Sequence, residues 1–346
     1  MSQNDRFIVR HVRELEGYVP GEQPQVPGLI KLNTNENPYP PSPRVMEALR
    51  GLGDGAIRLY PDPVCKKLRA RIAERFGMTT EQVFVGNGSD EVLALCTRAF
   101  VEDHGTIGSF NPSYSLYPVL AGIRPAQMKL VDLTDDFTWR MPDDFEATIF
   151  FLTNPNAPTG MLFPKEKVRD FCRRFSGLVL IDEAYVDFAP ESCMELAAEF
   201  SNVLVSRSFS KSYSLAGARA GYVVGHPDLI AALYKIKDSY NVNAVTQAMA
   251  LAAFDDEAYM RANVDRIIST RERVASELAQ RGYHVYPSAA NFLWMRPPAG
   301  RDAADVFKLL REKNILIRYF PGPKTGHCLR ITVGTDAEMD RLLEVL

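Results

Sequence analysis

No apolar stretch of this 346-residue sequence reaches the roughly 18 residues that a membrane-spanning helix needs. Histidine is scarce, with five residues scattered along the chain and none at metal-ligand spacing, so no metal site is expected. The five cysteines (Cys65, Cys96, Cys172, Cys193 and Cys328) form no CxxC pair. Their odd number and their scatter point to reduced, structural thiols. An excess of one charge is missing too. Forty basic residues face 43 acidic ones, a net charge of −3, which argues against a nucleic-acid-binding surface. There is no GxxxxGK followed by Ser or Thr, so a Walker-type nucleotide site is excluded. The nearest approach to a dinucleotide fingerprint is Gly86 and Gly88, but Glu91 stands where the third glycine belongs. The opening residues carry mixed charges and no apolar core. No export signal is expected, and the sequence reads as cytoplasmic.

Apolar residues make up 46% of the chain and charged ones 24%, which is enough to build an ordinary globular core. The length suits two domains or one large α/β domain. Residues 19–43 are dense in proline and asparagine, which rules out a helix and predicts an extended arm crossing to another domain or another subunit. In "VCKKLRARIAERFG", Cys65, Leu68, Ile72 and Phe76 make one apolar stripe that ends at Gly77, a natural C-cap. Short apolar runs follow at 83–86, 148–152, 178–182, 203–206 and 221–225. Between several of them lie helical patterns such as Val168, Phe171, Cys172 and Phe175. Near-continuous apolar strands alternating with amphipathic helices predict an α/β fold with a mostly parallel sheet covered on both faces. After about residue 240 the rhythm changes. A long charged helix leads to "NFLWMR", a helix, "NILIRY", "CLRITV" and a last helix, the pattern of a smaller α+β domain. We divide the chain into an arm with part of the small domain (1–44), a large domain (45–240) and a small C-terminal domain (241–346).

In an open α/β sheet, ligands bind outside the carboxyl ends of the strands, and the chemistry-bearing residues cluster after the apolar runs. "VFVGNGSDE" is a strand, a glycine turn and a helix start. Ser89 or Asp90 caps the helix there, or the free N–H groups beside them hold a phosphate. Asp182 stands at the mouth of a buried strand, where a carboxylate must be paired, hydrogen-bonded or functional, and Tyr185 follows it. Asn156 lies in a turn and offers an amide. Tyr114 and Tyr117 pack, or one of them provides a stacking platform. "SRSFSKSYSLAGARAG" sets Lys211 among five serines, with Arg219 eight residues on. It is a solvated loop, or Lys211 is an amine nucleophile that forms a Schiff base. A lysine, a carboxylate able to hold a ring nitrogen protonated and a phosphate anchor (Arg219, Ser208 and Ser210 with the helix start at 89–90) together form the protein environment of pyridoxal phosphate.

At this point the chain resembles the class I and II, fold-type I pyridoxal-phosphate-dependent aminotransferases, and within them the branch that acts on histidinol phosphate. The likeness runs from about residue 18 to the end. It rests on "KLNTNENPYPPSP", "LYPDP", "GNGSDE", "PSYSLYP", "NPNAPTG", "LIDEAYVDF", "SFSKSYSLAGARAGY", "PSAANFL" and "LRITVG", in the family's order. The resemblance implies that Lys211 carries the cofactor and moves a proton between substrate Cα and the cofactor's C4′. It implies that Asp182 holds the pyridine nitrogen protonated, that Tyr185 hydrogen-bonds the phenolic oxygen and that Tyr114 stacks on the ring. Ser89, Asp90, Ser208, Ser210 and Arg219 would hold the phosphate, and Tyr60 would reach the phosphate of a neighbouring subunit's cofactor. Arg330 would grip the substrate's anionic group, with Arg318, Tyr18 and Asn291 as further contacts. Many relatives have Asn immediately before "PTG". Here that position is Ala157, and its role passes to Asn156.

The implied activity is transfer of an amino group between histidinol phosphate and 2-oxoglutarate in a homodimer with shared sites. The alternatives are threonine-phosphate decarboxylation, aromatic amino-acid transamination and, in a different class, a non-catalytic pyridoxal-phosphate-binding regulator.

Overall fold

A computed structural model describes residues 4–346. Residues 1–3 of the assigned arm lie outside the described residues. The main sheet has seven strands: β1 (Val83–Gly86), β2 (Thr106–Asn111), β3 (Gln127–Asp132), β4 (Ile149–Thr153), β5 (Leu178–Asp182), β6 (Val203–Ser208) and β7 (Gly221–Gly225). Their order is β1-β7-β6-β5-β4-β2-β3. Only β7 runs against its neighbours, so the other six point the same way and their carboxyl ends share one edge. Both faces are buried. Phe150 and Leu152 join the core on one side, Ile149 and Phe151 the core on the other, which is the period-2 alternation of a strand covered by helices on both faces.

The five apolar runs became strands of the main sheet, β2 and β3 were added to them, and one later run was divided. β3 ("QMKLVD") carries no apolar run. It is the edge strand and leaves Gln127, Leu130 and Asp132 exposed, so its sequence has no need to be continuously apolar. "NILIRY" divides between two partners. Ile315–Leu316 pairs in parallel with Ile30–Lys31 from the arm, and Arg318–Tyr319 pairs antiparallel with the strand Leu329–Thr332. With Phe292–Arg296 and His284–Val285, the latter two strands make a four-stranded second sheet.

Two helices position the site. In α1 (Ser89–Phe100), Val92, Leu93 and Cys96 are buried under the sheet. In α2 (Leu116–Ile123), Tyr117, Leu120 and Ala121 are buried. The 19–43 arm contains no helix before Pro43. It is tied down by the pairing at 30–31 and by Asn35, whose backbone N–H donates to Thr332 Oγ1 (3.0 Å). No helix among the described residues is long and apolar enough to cross a membrane, and no cluster of metal-ligating side chains is found there.

Candidate active site

The carboxyl ends of β2, β4, β5 and β6 open into one cavity of about 800 Å³. The second sheet and the arm close its far side. Lys211, Asp182, Tyr185, Tyr114 and Arg219 all face it.

Asp182 ends β5 and is 3% exposed. Its Oδ2 accepts from Tyr117 Oη (3.0 Å) and its Oδ1 from the Ala184 N–H (3.2 Å). Burial pushes its carboxyl up to about 6, and these hydrogen bonds pull the other way. Tyr185 is buried, and its Oη accepts from Asn35 Nδ2 (2.9 Å). Lys211 is partly open to the cavity. Its Nζ donates to Thr34 O (3.0 Å), and Asn37 Nδ2 fixes its carbonyl (3.0 Å). Burial lowers the amine to about 8, and Arg330 adds to that effect, while Glu36 and Asp90 oppose it.

On another wall Arg219 has φ +55° and lies against the start of α1. Its Nη2 is 3.1 Å from Asp90 Oδ2, and its Nη1 donates to Ser210 Oγ (3.4 Å). Gly88, not Ser89 or Asp90, occupies the N-cap, with φ +88°. A Cβ there would meet Arg219 Nη2 at 2.7 Å, and one on Gly221 would meet the Ser89 nitrogen at 2.6 Å. Both glycines are therefore needed for the guanidinium and the helix start to converge. Ser208 and Ser210 line the same corner. Free helix N–H groups, a guanidinium and two hydroxyls make an anion cradle. Tyr114 donates to Asp90 Oδ1 (3.1 Å) and is met edge-on by Tyr18 at 6.0 Å.

Arg318 and Arg330 face each other directly across two antiparallel strands. Arg330 Nη2 donates to Asn33 O (2.9 Å), while its Nε is buried without a partner. Arg318 Nη2 reaches Val19 O (3.2 Å). Both line the cavity, and neither forms an ion pair with a carboxylate among the described residues. Opposed like charges destabilise a sheet, and an anion placed between these two guanidiniums would relieve that repulsion.

Three expected residues are placed elsewhere. Asn156 is fully buried and off the cavity wall. Its amide hydrogens go to Pro112 O (3.1 Å) and Thr159 Oγ1 (3.0 Å), and its Oδ1 accepts from Ser113. Its neighbour Ala157 lines the cavity instead. Asn291 is also buried and off the wall. It donates to Asn35 O (3.0 Å), one residue removed from Tyr185. Tyr60 is 80% exposed and stacks on Tyr240 at 4.3 Å, outside this chain's cavity. Conversely, Thr34 and Asn35 of the arm touch the reactive residues. The run "NTNEN" was the only signal for them.

The residues present fit pyridoxal phosphate. The anion cradle, the amine and the buried carboxylate line one wall after another of a cavity large enough for the cofactor and a substrate.

The aminotransferase class I and II family model matches residues 27–346. The chain is 43% identical over 338 residues to the histidinol-phosphate aminotransferase of Citrifermentans bemidjiense, covering 97% of this chain and 96% of that one. It is 45% identical over 348 residues to that of Aromatoleum aromaticum, covering 97% and 96%. The structure of the Sinorhizobium meliloti histidinol-phosphate aminotransferase, in complex with pyridoxal-5′-phosphate, matches with a TM-score of 0.83 at 28% identity, over 91% of this chain and 89% of that one. The chain belongs to the class I and II aminotransferase family.

Proposed function

We propose that this aminotransferase uses pyridoxal phosphate to move an amino group between histidinol phosphate and 2-oxoglutarate, giving imidazole-acetol phosphate and glutamate in histidine biosynthesis. One observation carries the reading: the opposed pair Arg318 and Arg330, with an unpartnered buried Nε, on the wall shared with Lys211. Planar guanidiniums take a carboxylate or a phosphate equally well, as two alternating anionic substrates require.

When bound, pyridoxal phosphate supplies an aldehyde for the amino group and a ring that accepts the electrons released at Cα. Asp182 would hold the proton on the ring nitrogen. Tyr185 would give its phenol proton to the cofactor's oxygen, and Tyr114 would lie against the ring. Arg219, the hydroxyls of Ser208 and Ser210 and the backbone N–H groups at Ser89 and Asp90 would hold the phosphate group. Lys211 Nζ would take and return the Cα proton. Tyr18 and Arg318 border the substrate, and Asn291 acts through Asn35. Asn156 braces its turn.

The site reading extends to the assembly. The protein is a cytoplasmic homodimer in which Tyr60 completes the partner's site, and its extreme exposure supports this. The arm with part of the small domain spans 1–44, the large domain 45–240 and the small domain 241–346. The helix Ala244–Phe254 lies on the large-domain side, against Pro43–Arg50.

The purified protein with pyridoxal phosphate and glutamate, offered imidazole-acetol phosphate and then phenylpyruvate, should prefer the first by at least about tenfold in kcat/KM, a difference of about 1.4 kcal/mol. Equal rates would favour aromatic transamination. Release of carbon dioxide from threonine phosphate would favour the decarboxylase.

Covalent uptake of the cofactor by the apo-protein needs the neutral amine of Lys211. Its rate should rise with pH through a midpoint near 8. Removing the opposing cation in Arg330→Gln should raise the midpoint. Removing the supporting anion in Glu36→Gln should lower it. Absorbance of the bound cofactor at each pH checks both signs.

A further inference from the structure

Tyr117 is fully buried in the first turn of α2. Its Oη donates to Asp182 Oδ2 (3.0 Å) and sits 2.6 Å from Thr153 Oγ1. Thr153 and Asp182 are paired residues at the ends of β4 and β5, so one phenol bridges two adjacent strand ends. The chain of contacts continues outward. Thr153 Oγ1 is 3.2 Å from Ser113 Oγ, which donates to Asn156 Oδ1 (3.1 Å), and Asn156 is itself fixed in its turn.

The direction of these bonds follows from donor counting. An ionised carboxylate only accepts, so Tyr117 must give it the phenol proton. Ser113 gives its proton to Asn156. Thr153 is then left as a donor to Tyr117 or Ser113, and nothing competes for the Tyr117 proton. Burial and the neighbouring Asp182 drive the phenol's acidity far below its usual strength, so it stays protonated. Asn156, displaced from the cavity, anchors the far end of this chain.

We propose that Tyr117, oriented by Thr153, is a positioning residue for the reaction: it acts through Asp182, aiming the carboxylate and keeping the shared proton on the cofactor's ring nitrogen. This rests on the reading that Asp182 faces that nitrogen. The reasoning is a competition for one proton. A hydrogen bond donated to a carboxylate stabilises its ionised form. Without it, a buried oxygen of Asp182 loses its closest donor and binds the proton more tightly. The ring then becomes neutral and a weaker electron acceptor.

The test uses holoenzyme reconstituted with pyridoxal phosphate labelled with ¹⁵N in the ring. In Tyr117→Phe the ring-nitrogen resonance should move towards the unprotonated position. The cofactor's Kd should rise by about tenfold or more, the usual range for a lost hydrogen bond to a charged group. kcat should fall while KM for glutamate stays within about twofold, because ground-state binding by the arginines is untouched. Thr153→Val keeps the phenol but removes its orienting partner. It should shift the resonance the same way by less, and it decides the matter alone if Tyr117→Phe does not fold. An unchanged resonance in the folded variants overturns the proposal while leaving the cofactor reading intact. Wild-type protein that takes up no pyridoxal phosphate overturns both.

Discussion

Asp182→Asn should keep the fold and lose at least about three powers of ten in turnover, roughly 4 kcal/mol of barrier. The substitution is nearly isosteric: its single amide oxygen can take the Ala184 N–H, and its NH2 can donate to Tyr117 Oη, whose own proton then turns to Thr153 Oγ1. What disappears is the negative charge. Asp182 sits in a buried place that already pushes its carboxyl up to about 6, where an uncompensated ring cation has no other counter-ion at hand. Asp90 is the neighbouring carboxylate whose charge acts on Asp182, and that one is engaged with Arg219. An amide neither balances the ring's positive charge nor holds its proton, so the ring loses its power to accept electrons from Cα. Circular dichroism should be unchanged, and glutamate half-reaction rates should fall. A variant within tenfold of the parent would sink the role assigned to Asp182.

The residues that were legible in the sequence share a physical cause. Asp182, Ser208 and Lys211 follow continuous apolar strands, and a parallel sheet places its ligands at those ends. What the sequence could not reveal depended on contacts between distant segments. Asn35 lies in an arm with no periodic pattern. It reaches Tyr185 because Ile30–Lys31 pairs with Ile315–Leu316 nearly 300 residues away. Arg318 and Arg330 were each singled out, but their direct opposition exists only in the register of the second sheet. Asn156 and Ala157 are neighbours in a turn. Which of them faces the cavity is decided by Pro112, Ser113 and Thr159, whose groups claim the Asn156 amide. Tyr117 reads in the sequence as packing or as a stacking platform, and the bond from its hydroxyl to Asp182 is not legible there for a related reason: an aromatic at the start of an amphipathic helix looks like core, and it is core, apart from one hydroxyl.

Lys211→Ala should have the largest effect, a loss on the order of five powers of ten, about 7 kcal/mol. The substitution removes both the nucleophile and the proton carrier. Borohydride should fix pyridoxal phosphate to the peptide that carries Lys211 in the parent and to no peptide in the variant. Labelling of another lysine in the parent would contradict the assignment. The same variant tests the shared site. Tyr60 is exposed, lies outside its own chain's cavity and stacks on Tyr240. On the proposed shared site, a Tyr60→Ala chain should be impaired without unfolding, through loss of the contact proposed to the partner's cofactor phosphate. In a mixture of Lys211→Ala and Tyr60→Ala subunits, each hybrid dimer contains one site with both lesions and one with neither. Activity should rise on subunit exchange towards that of one intact site per hybrid. If exchange is proven and activity stays at the level of the separate variants, Tyr60 serves its own subunit or none, and the dimeric site is wrong.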